Sequence, residues 1–590
     1  MSKINNEYFD LIKTWCDRLI DYQVTEHSDE SFVGGILCPS CMGMHGRIGD
    51  AMYPFVFVYE NTGDKKYYNA ARLIFKWTMR NMLRDKGQII NDANSTWYGI
   101  TVFFNISLGE LLFNLKDSIE DEDYNEWMAY YLDSSEYIYN SFYNNTNWNI
   151  NYRVATATSM AIAWKVFGDK KYYDKAREFA KISVEHITDE GFLYGENKPT
   201  ELPTGRGFRP VDLGYNVEES LPNLALYLKY IGEDEETKKV LIHSMKAHLK
   251  FMLPDGGWDN TWGTRSNKWS YWGSRTSDGC QPAYVYFCDE DETFFEAAHR
   301  NYECLKRCTV DGFLAGGIHH AEMNEPCCVH HSFCHIKGLI PLAESEYVRK
   351  NNVKLPRETL DGITDFTSMN VSVSTKGDWT ATYSCDDYAK GNDDETPTGG
   401  AVTLLYHNKI GIVLGGGPNE FKLAEAHNMQ VPRFFEDVCQ LARLEHHVDG
   451  KKRRNTYDAT ASVYTYSDDN CTTYTAKGMI KEPRFFGTDR YEMKYTMTKD
   501  DFEISVFTEA EGAKFILPVV ATPDEKLEIK DNTVTIDKKG GILSIESSEP
   551  VIHNTKRAER IFNMWGGLAT AHLVIDVPKN KKLNIKFTVK

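Results

Sequence analysis

Residues 62–77 read TGDKKYYNAARLIFKW, and residues 167–181 read FGDKKYYDKAREFAK. The same turn, the same lysine pair and the same tyrosine pair return about a hundred residues later. Weaker echoes lie at 231–251 (IGEDEETKKVLIHSMKAHLKF) and 289–307 (DEDETFFEAAHRNYECLKR). Each copy starts on a Gly or acidic turn and continues with apolar residues at helical spacing. Each also follows another apolar run, such as AMYPFVFVYEN (51–61) or TSMAIAWKVFG (158–168). The repeating unit is therefore a helical hairpin.

Working outward, the periodicity predicts helices near 5–21, 47–61, 64–83, 97–116, 121–141, 151–167, 169–187, 215–231, 234–252, 278–288, 290–308 and 328–343. Six hairpins without polar capping repeats predict a closed (α/α)6 toroid over residues 1–345 rather than an open solenoid. Beyond a linker at 346–360 the pattern changes. Runs such as MNVSVSTKGDWTATYSC, ATASVYTYS and RYEMKYTMTKDDFEISVFTEA alternate apolar with polar residues between turns. They predict an antiparallel β-sandwich over 361–590, giving an α+β multidomain chain.

The bulk numbers narrow the function. With 67 basic against 85 acidic residues the net charge is −18, which argues against nucleic acid as a partner. An acidic ligand would need a local basic pocket. No run is long and apolar enough to span a bilayer, and no secretory signal opens the chain, so no membrane partner is expected. Thirteen cysteines without regular spacing fit a reducing, cytoplasmic setting. A sandwich of this size also has surface to spare for a homo-oligomer.

The chemically rich segments occur before or at the start of alternate helices: MHGRIGD (44–50), NSTWYG (94–99), NTNWNINYR (145–153), DLGYNVEES (212–220), YWGSRTSDG (271–279) and NEPCCVHH (324–331). In a toroid the inner helices share a direction, so these segments meet at one mouth. Helix caps account for many of the Asn, Ser and Asp residues. Caps do not account for Trp97, Tyr98, Trp148, Tyr215, Tyr271, Trp272, Arg47, Arg275 and the histidines. Helix N-termini also favour anions, so a carboxylate-bearing ligand suits the funnel.

A six-hairpin toroid followed by a β-sandwich resembles the heparinase II/III-type polysaccharide lyases, with their alginate and oligouronide lyase relatives, and also six-hairpin glycosidases including uronidases. NWNIN (147–151), the tyrosine of GYNVEES (214–220), a histidine pair near the end of the toroid and PTGGAVTLLYH…LAEAHNMQ (397–430) support the resemblance. It implies β-elimination on a uronic-acid-containing glycan. Asn149 or Asn151 would neutralise the uronate carboxylate with help from Arg275. Tyr215 would act as base and acid, assisted by His319 or His320, with Tyr271 as a competing base. Arg47, His45, Trp97, Tyr98, Trp148, Tyr271, Trp272, Arg275, His330 and His331 would bind substrate.

Two alternatives stay open. A glycoside hydrolase releasing a uronic acid would need two carboxyl groups across the scissile bond; the funnel offers Asp50, Glu218, Glu219, Asp278, Glu322 and Glu325, with Glu219 and Asp278 the preferred pair. A non-catalytic carbohydrate-binding protein would not need so many titratable groups. The chemistry requires no cofactor. Cys38, Cys41, Cys327 and Cys328, with His45, His330, His331 or Glu325 nearby, could nonetheless hold a structural zinc, because the first and last inner helices of a ring are neighbours.

Overall fold

The computed structural model describes residues 4–91, 97–142, 149–196, 203–204, 206–275, 281–386, 396–419, 439–483 and 487–590. Helices α1 (Asn6–Asp21), α2 (Met52–Thr62), α3 (Lys65–Asn81), α4 (Ile100–Asn114), α5 (Asp121–Asn140) and α6 (Ile150–Phe167) form the first half of the ring. The second half comprises α7 (Lys170–Val184), α8 (Leu221–Ile231), α9 (Glu235–Leu249), α10 (Gln281–Val285), α11 (Glu292–Arg307) and α12 (Val329–Glu344).

The repeated GDKK is the corner of each hairpin. Gly63 and Gly168 end inner helices in the left-handed conformation, both at φ 71°, where a side chain would be strained. Asp64 and Asp169 then cap the outer helices by accepting the N–H groups of Lys66 and Lys171, each at 3.0 Å. The inner helices are buried all round, as in Ile100–Leu112, where every residue is covered. An all-apolar helix is stable only inside other helices, so α2, α4, α6, α8, α10 and α12 become the inner ring. Each packs on the next, and α12 returns to α1, α2 and the 3-10 turn Gly46–Ala51. The ring is closed.

Helix α10, Gln281–Val285, ends three residues short of the 288 expected. Ahead of it, residues 253–275 form loops and a small hairpin pairing Trp269–Ser270 with Gly273–Ser274. Among the described residues no helix is long and apolar enough to cross a membrane.

The C-terminal half contains a five-stranded sheet in sequence order (Gly362–Phe366 to Gly411–Gly415), a six-stranded sheet centred on Lys514–Val520 and Leu568–Asp576, and an eight-stranded sheet from Ser462–Ser467 to Leu527–Lys530. All the strand pairs in these sheets are antiparallel. The core between the eight-stranded sheet and the other two includes Tyr383 stacked on Tyr474, with ring centroids 4.4 Å apart.

One expectation changes here. Val371–Lys376 and Trp379–Ser384 lie in a run that alternates apolar with polar residues, yet every residue in them, and in Ala401–His407, is buried. The toroid covers their second face: Phe366, Met369, Val371 and Val373 pack with Phe192, Phe251 and Trp262. The polar positions satisfy toroid groups instead. Thr382 donates to Asp259, which also accepts from Arg357 at 2.6 Å.

A second contact sets the mouth of the ring. The sandwich loop Met564–Gly567 enters the toroid, where Gly566 donates to Trp269 O (2.9 Å) and Gly567 O accepts from the His319 N–H (3.2 Å). Gly566 and Gly567 have φ of 74° and 61°. A Cβ at Gly566 would collide with the Trp269 ring, and one at Gly567 with the Gly317 backbone.

Candidate active site

The first turn of α6 and the entry to α8 build one wall. A single turn, Leu213–Tyr215, is capped by Asp212, which accepts from Tyr215 N at 3.1 Å. A π turn, Asn216–Ser220, follows and runs into α8. Pro222 has no N–H to give the carbonyl of Glu218 four residues back, which favours the wider turn. The turn sends adjacent glutamates to different partners. Glu219 accepts from the Asn151 amide, and Glu218 Oε2 lies 3.0 Å from His335 Nε2 on α12.

Asn151 is tied on a second side, since its backbone N–H donates to Glu196 Oε1 at 3.0 Å. Glu196 pairs through its other oxygen with Arg265 Nη1 at 3.2 Å. Burial pushes the Glu196 carboxyl up to about 7 against the pull of Arg265. The Arg265 guanidinium lies 4.5 Å from the centre of the Tyr215 ring. Lys268 donates from Nζ to Tyr215 Oη at 2.8 Å. Asn151, Glu219, Glu196, Arg265, Tyr215 and Lys268 are therefore one connected, buried constellation.

The opposite wall is α12 with the 269–275 hairpin. Trp272 stands edge-on to His335 (4.4 Å) and His331 (5.8 Å) and donates to Ala315 O. Both His331 nitrogens are buried without a hydrogen-bond partner among the described residues. Burial and the nearby Arg275 charge hold this imidazole neutral, well below the usual histidine range. His320 is buried, with Nε2 3.4 Å from Pro326 O, and its pKa is depressed to about 4 by burial. His319 faces the sandwich: its Nδ1 accepts from Ala569 N at 3.1 Å, and burial depresses it to about 3.

Several expected ligand contacts resolve differently. Arg275, expected to assist Asn149 or Asn151, is engaged elsewhere. It donates to Trp269 O (2.8 Å) and Met564 O and lies 4.8 Å from the Trp565 ring centre, so it rivets the sandwich loop to the toroid. Tyr271, expected as substrate contact or competing base, is fully buried and donates to Asp255 at 2.9 Å; burial drives its pKa far up. It is core. Asn149 is the N-cap position of α6, partly exposed, and makes no side-chain cap bond. Trp97 is 42% exposed and donates to Tyr152 Oη at 3.2 Å, while Tyr98 is half-buried against the core. Trp148, Asp278 and the 423–430 segment lie outside the described residues.

The ring closure gathers sulfur and imidazole. Cys38 Sγ lies 3.7 Å from Cys328 Sγ, and His45 Nε2 lies 3.3 Å from Cys41 Sγ and 3.7 Å from Cys328 Sγ. Cys327 is not part of this group, because its thiol faces Val310 O. Successive residues at a helix start point apart, so the adjacent cysteines cannot both face inward, and His45 takes the place expected for Cys327. Next to the cluster, Arg47 donates to Asp50 at 2.9 and 3.1 Å, and the His330 ring lies 5.6 Å from His45.

Sequence reasoning missed Lys268, Arg265, Glu196 and His335. The first three sit in irregular segments, where no helical register marks them. The basic pair inside TWGTRSNKW, within a strongly acidic chain, was the available signal.

The comparisons with known proteins agree with this architecture. Residues 12–358 match the ulvan lyase N-terminal domain, and residues 363–590 match the ulvan lyase C-terminal domain. A broad-specificity ulvan lyase of Formosa agariphila is 34% identical over 577 residues, covering 95% of this chain and 90% of the relative. Among solved structures, a heparinase III superposes with a TM-score of 0.57 at 10% identity, covering 100% of this chain and 85% of its own. A second heparinase III, the BT4657 gene product, gives 0.50 at 10% identity, with coverages of 100% and 84%. At such identities these two structures speak for the fold, a toroid followed by a β-sandwich. With both domain models matched in order along nearly the whole length, the chain belongs to the ulvan lyase family and is a polysaccharide lyase acting by β-elimination.

Proposed function

We propose that this lyase cleaves a sulfated, uronate-bearing polysaccharide of the ulvan type, with Tyr215 transferring the proton and Asn151 at the uronate carboxylate. The observation that carries the reading is the Lys268–Tyr215 contact beneath Arg265, linked through Glu196 to Asn151.

Elimination breaks the C5–H and C4–O bonds of the uronate and forms a C4–C5 double bond. The C5 proton is too weakly acidic to leave unless positioned donors stabilise the charge that develops on the carboxylate. One Asn151 amide hydrogen is directed at Glu219, which fixes the amide plane and orients the second hydrogen for that task. Tyr215 supplies the base. An ammonium at its oxygen and a guanidinium on its face place positive charge where a phenolate would form. Tyr215 takes the C5 proton and returns a proton to the departing O4, a transfer that requires both atoms to come within hydrogen-bond reach of its oxygen.

Arg265 and Lys268 also form the local basic pocket that an acidic protein needs for an anionic substrate. Trp97 offers an exposed aromatic face at the same end of the ring. Glu219 is engaged by Asn151 and Glu218 by His335, so neither stands across an open gap as a hydrolytic carboxylate would.

The test is a panel of ulvan, its desulfated form and unsulfated uronans, followed by ultraviolet absorbance and product mass together. Absorbance should rise with ulvan, fragment masses should sum to the substrate, and desulfation should slow the reaction. Equal rates on the desulfated polymer would remove the sulfated-substrate reading. Fragments carrying an added water would remove the proton-transfer scheme.

A further inference from the structure

We propose that Cys38, Cys41, His45 and Cys328 bind one zinc ion that joins the two ends of the toroid.

The donor set and its geometry both point to this. Three thiols and one imidazole are a ligand set for tetrahedral zinc, with bonds of about 2.3 Å to sulfur and 2.0–2.1 Å to nitrogen. Tetrahedral angles then put ligand atoms about 3.8 Å apart for S···S and about 3.6 Å for S···N. The structure has 3.7 Å between Cys38 and Cys328, 3.7 Å between Cys328 and His45 Nε2, and 3.3 Å between Cys41 and His45 Nε2. The donor atoms of Cys38, His45 and Cys328 all lie within 4.8 Å of one another. Cys38, His45 and Cys328 thus form one face of such a site, and Cys41, beside His45, is the fourth donor at hand.

The site is tightly built and enclosed. Cys38-Pro-Ser-Cys41 forms a tight knuckle, with Cys38 N donating to Gly43 O and Met42 N to Cys38 O, both at 2.9 Å. Cys38 and Cys328 are completely covered, and His45 is nearly so. All four positions come from the chain, which is the closed arrangement of a structural rather than a catalytic ion.

The placement gives the ion its task. Cys328 is the N-cap of α12 and His45 the N-cap of the Gly46–Ala51 turn. The ion would link residues 290 positions apart in sequence, at the one junction of the ring that no hairpin connects. Closing so long a loop is where a cross-link constrains the unfolded chain most.

The test is metal analysis of the full chain purified under reducing conditions without chelator, with thiol counting on the same sample. Zinc should be present at about one per chain, and Cys328→Ser should lower it to below about a tenth while Cys327→Ser retains it. Replacement by cobalt in the intact protein should give the visible absorption of a tetrahedral thiolate site, a readout that needs no variant to fold. A wild-type chain that takes up neither zinc nor cobalt after reduction would overturn the proposal. So would a Cys38–Cys328 disulfide in the native protein, or full zinc in Cys328→Ser.

Discussion

Tyr215→Phe removes one oxygen from the centre of the constellation and leaves the ring in place, so its effects can be worked out separately. The Lys268 ammonium, 2% exposed, loses the acceptor at 2.8 Å. Losing one hydrogen bond from a buried charged group costs about 1.5–3 kcal/mol, which unfolding in urea would register as a lower midpoint at unchanged slope. The catalytic loss is larger. A positioned general acid or base contributes about 10²–10⁴-fold, equivalent to about 3–5 kcal/mol of barrier. We expect kcat to fall by that factor, read from the ultraviolet absorbance of the unsaturated product, with KM changing little. Lys268→Met provides the internal check. If the ammonium acts by favouring the phenolate, this variant should lose activity at neutral pH and regain part of it as pH rises. The double variant should then be no slower than Tyr215→Phe alone, because residues acting as one unit are not additive. A Tyr215→Phe enzyme within about tenfold of wild-type kcat would refute a proton-transfer role. An unmoved pH profile in Lys268→Met would refute the link between the two.

Three further outcomes are expected. Asn151→Ala should lower kcat by about 10²–10³-fold through loss of a donor to developing charge, and Asn151→Asp should be worse because it sets a second carboxylate against Glu219. Glu196 titrates near 7 when folded against an ordinary 4.5, so the folded state holds a proton that the unfolded chain has released between those values. Its contribution therefore makes the fold less stable as pH rises through that window, by about 3 kcal/mol above pH 7; urea unfolding of wild type against Glu196→Gln at pH 5 and pH 8 should show this slope only in the wild type. Arg275→Met should release the Met564 loop and cost about 1–3 kcal/mol, seen as a lower melting temperature and faster proteolysis in the 345–360 segment.

Much of this fold could be read from local chemistry. GDKK marked the hairpin corners because an αL glycine and an aspartate cap act within a few residues. The twelve helices follow from apolar spacing, although the expected starts at 47 and 215 prove to be a 3-10 turn and a π turn ahead of α2 and α8. The segments that alternate in the eight-stranded sheet were legible for the same reason. Lys514–Val520 was missed, since its run FILPVV carries no alternation of apolar and polar residues. Asn151 meets Glu219 and Trp272 meets His331 because the starts of inner helices lie close to one another.

Partner choice within the mouth was not legible. Nothing in the letters distinguishes Arg275, which rivets the sandwich loop, from Arg265, which covers Tyr215; both are arginines in irregular segments before a short helix. The same holds for Tyr271 and Tyr215, and for Cys327 and Cys328, where a single residue step turns a side chain from core to cluster. By itself the sequence determined which segments form helices and strands and which of them reach the mouth, because caps and periodicity are local. Only the tertiary structure decided which buried charge meets which oxygen, because those contacts join residues 50 to 290 positions apart and depend on how the ring closes and where the sandwich docks.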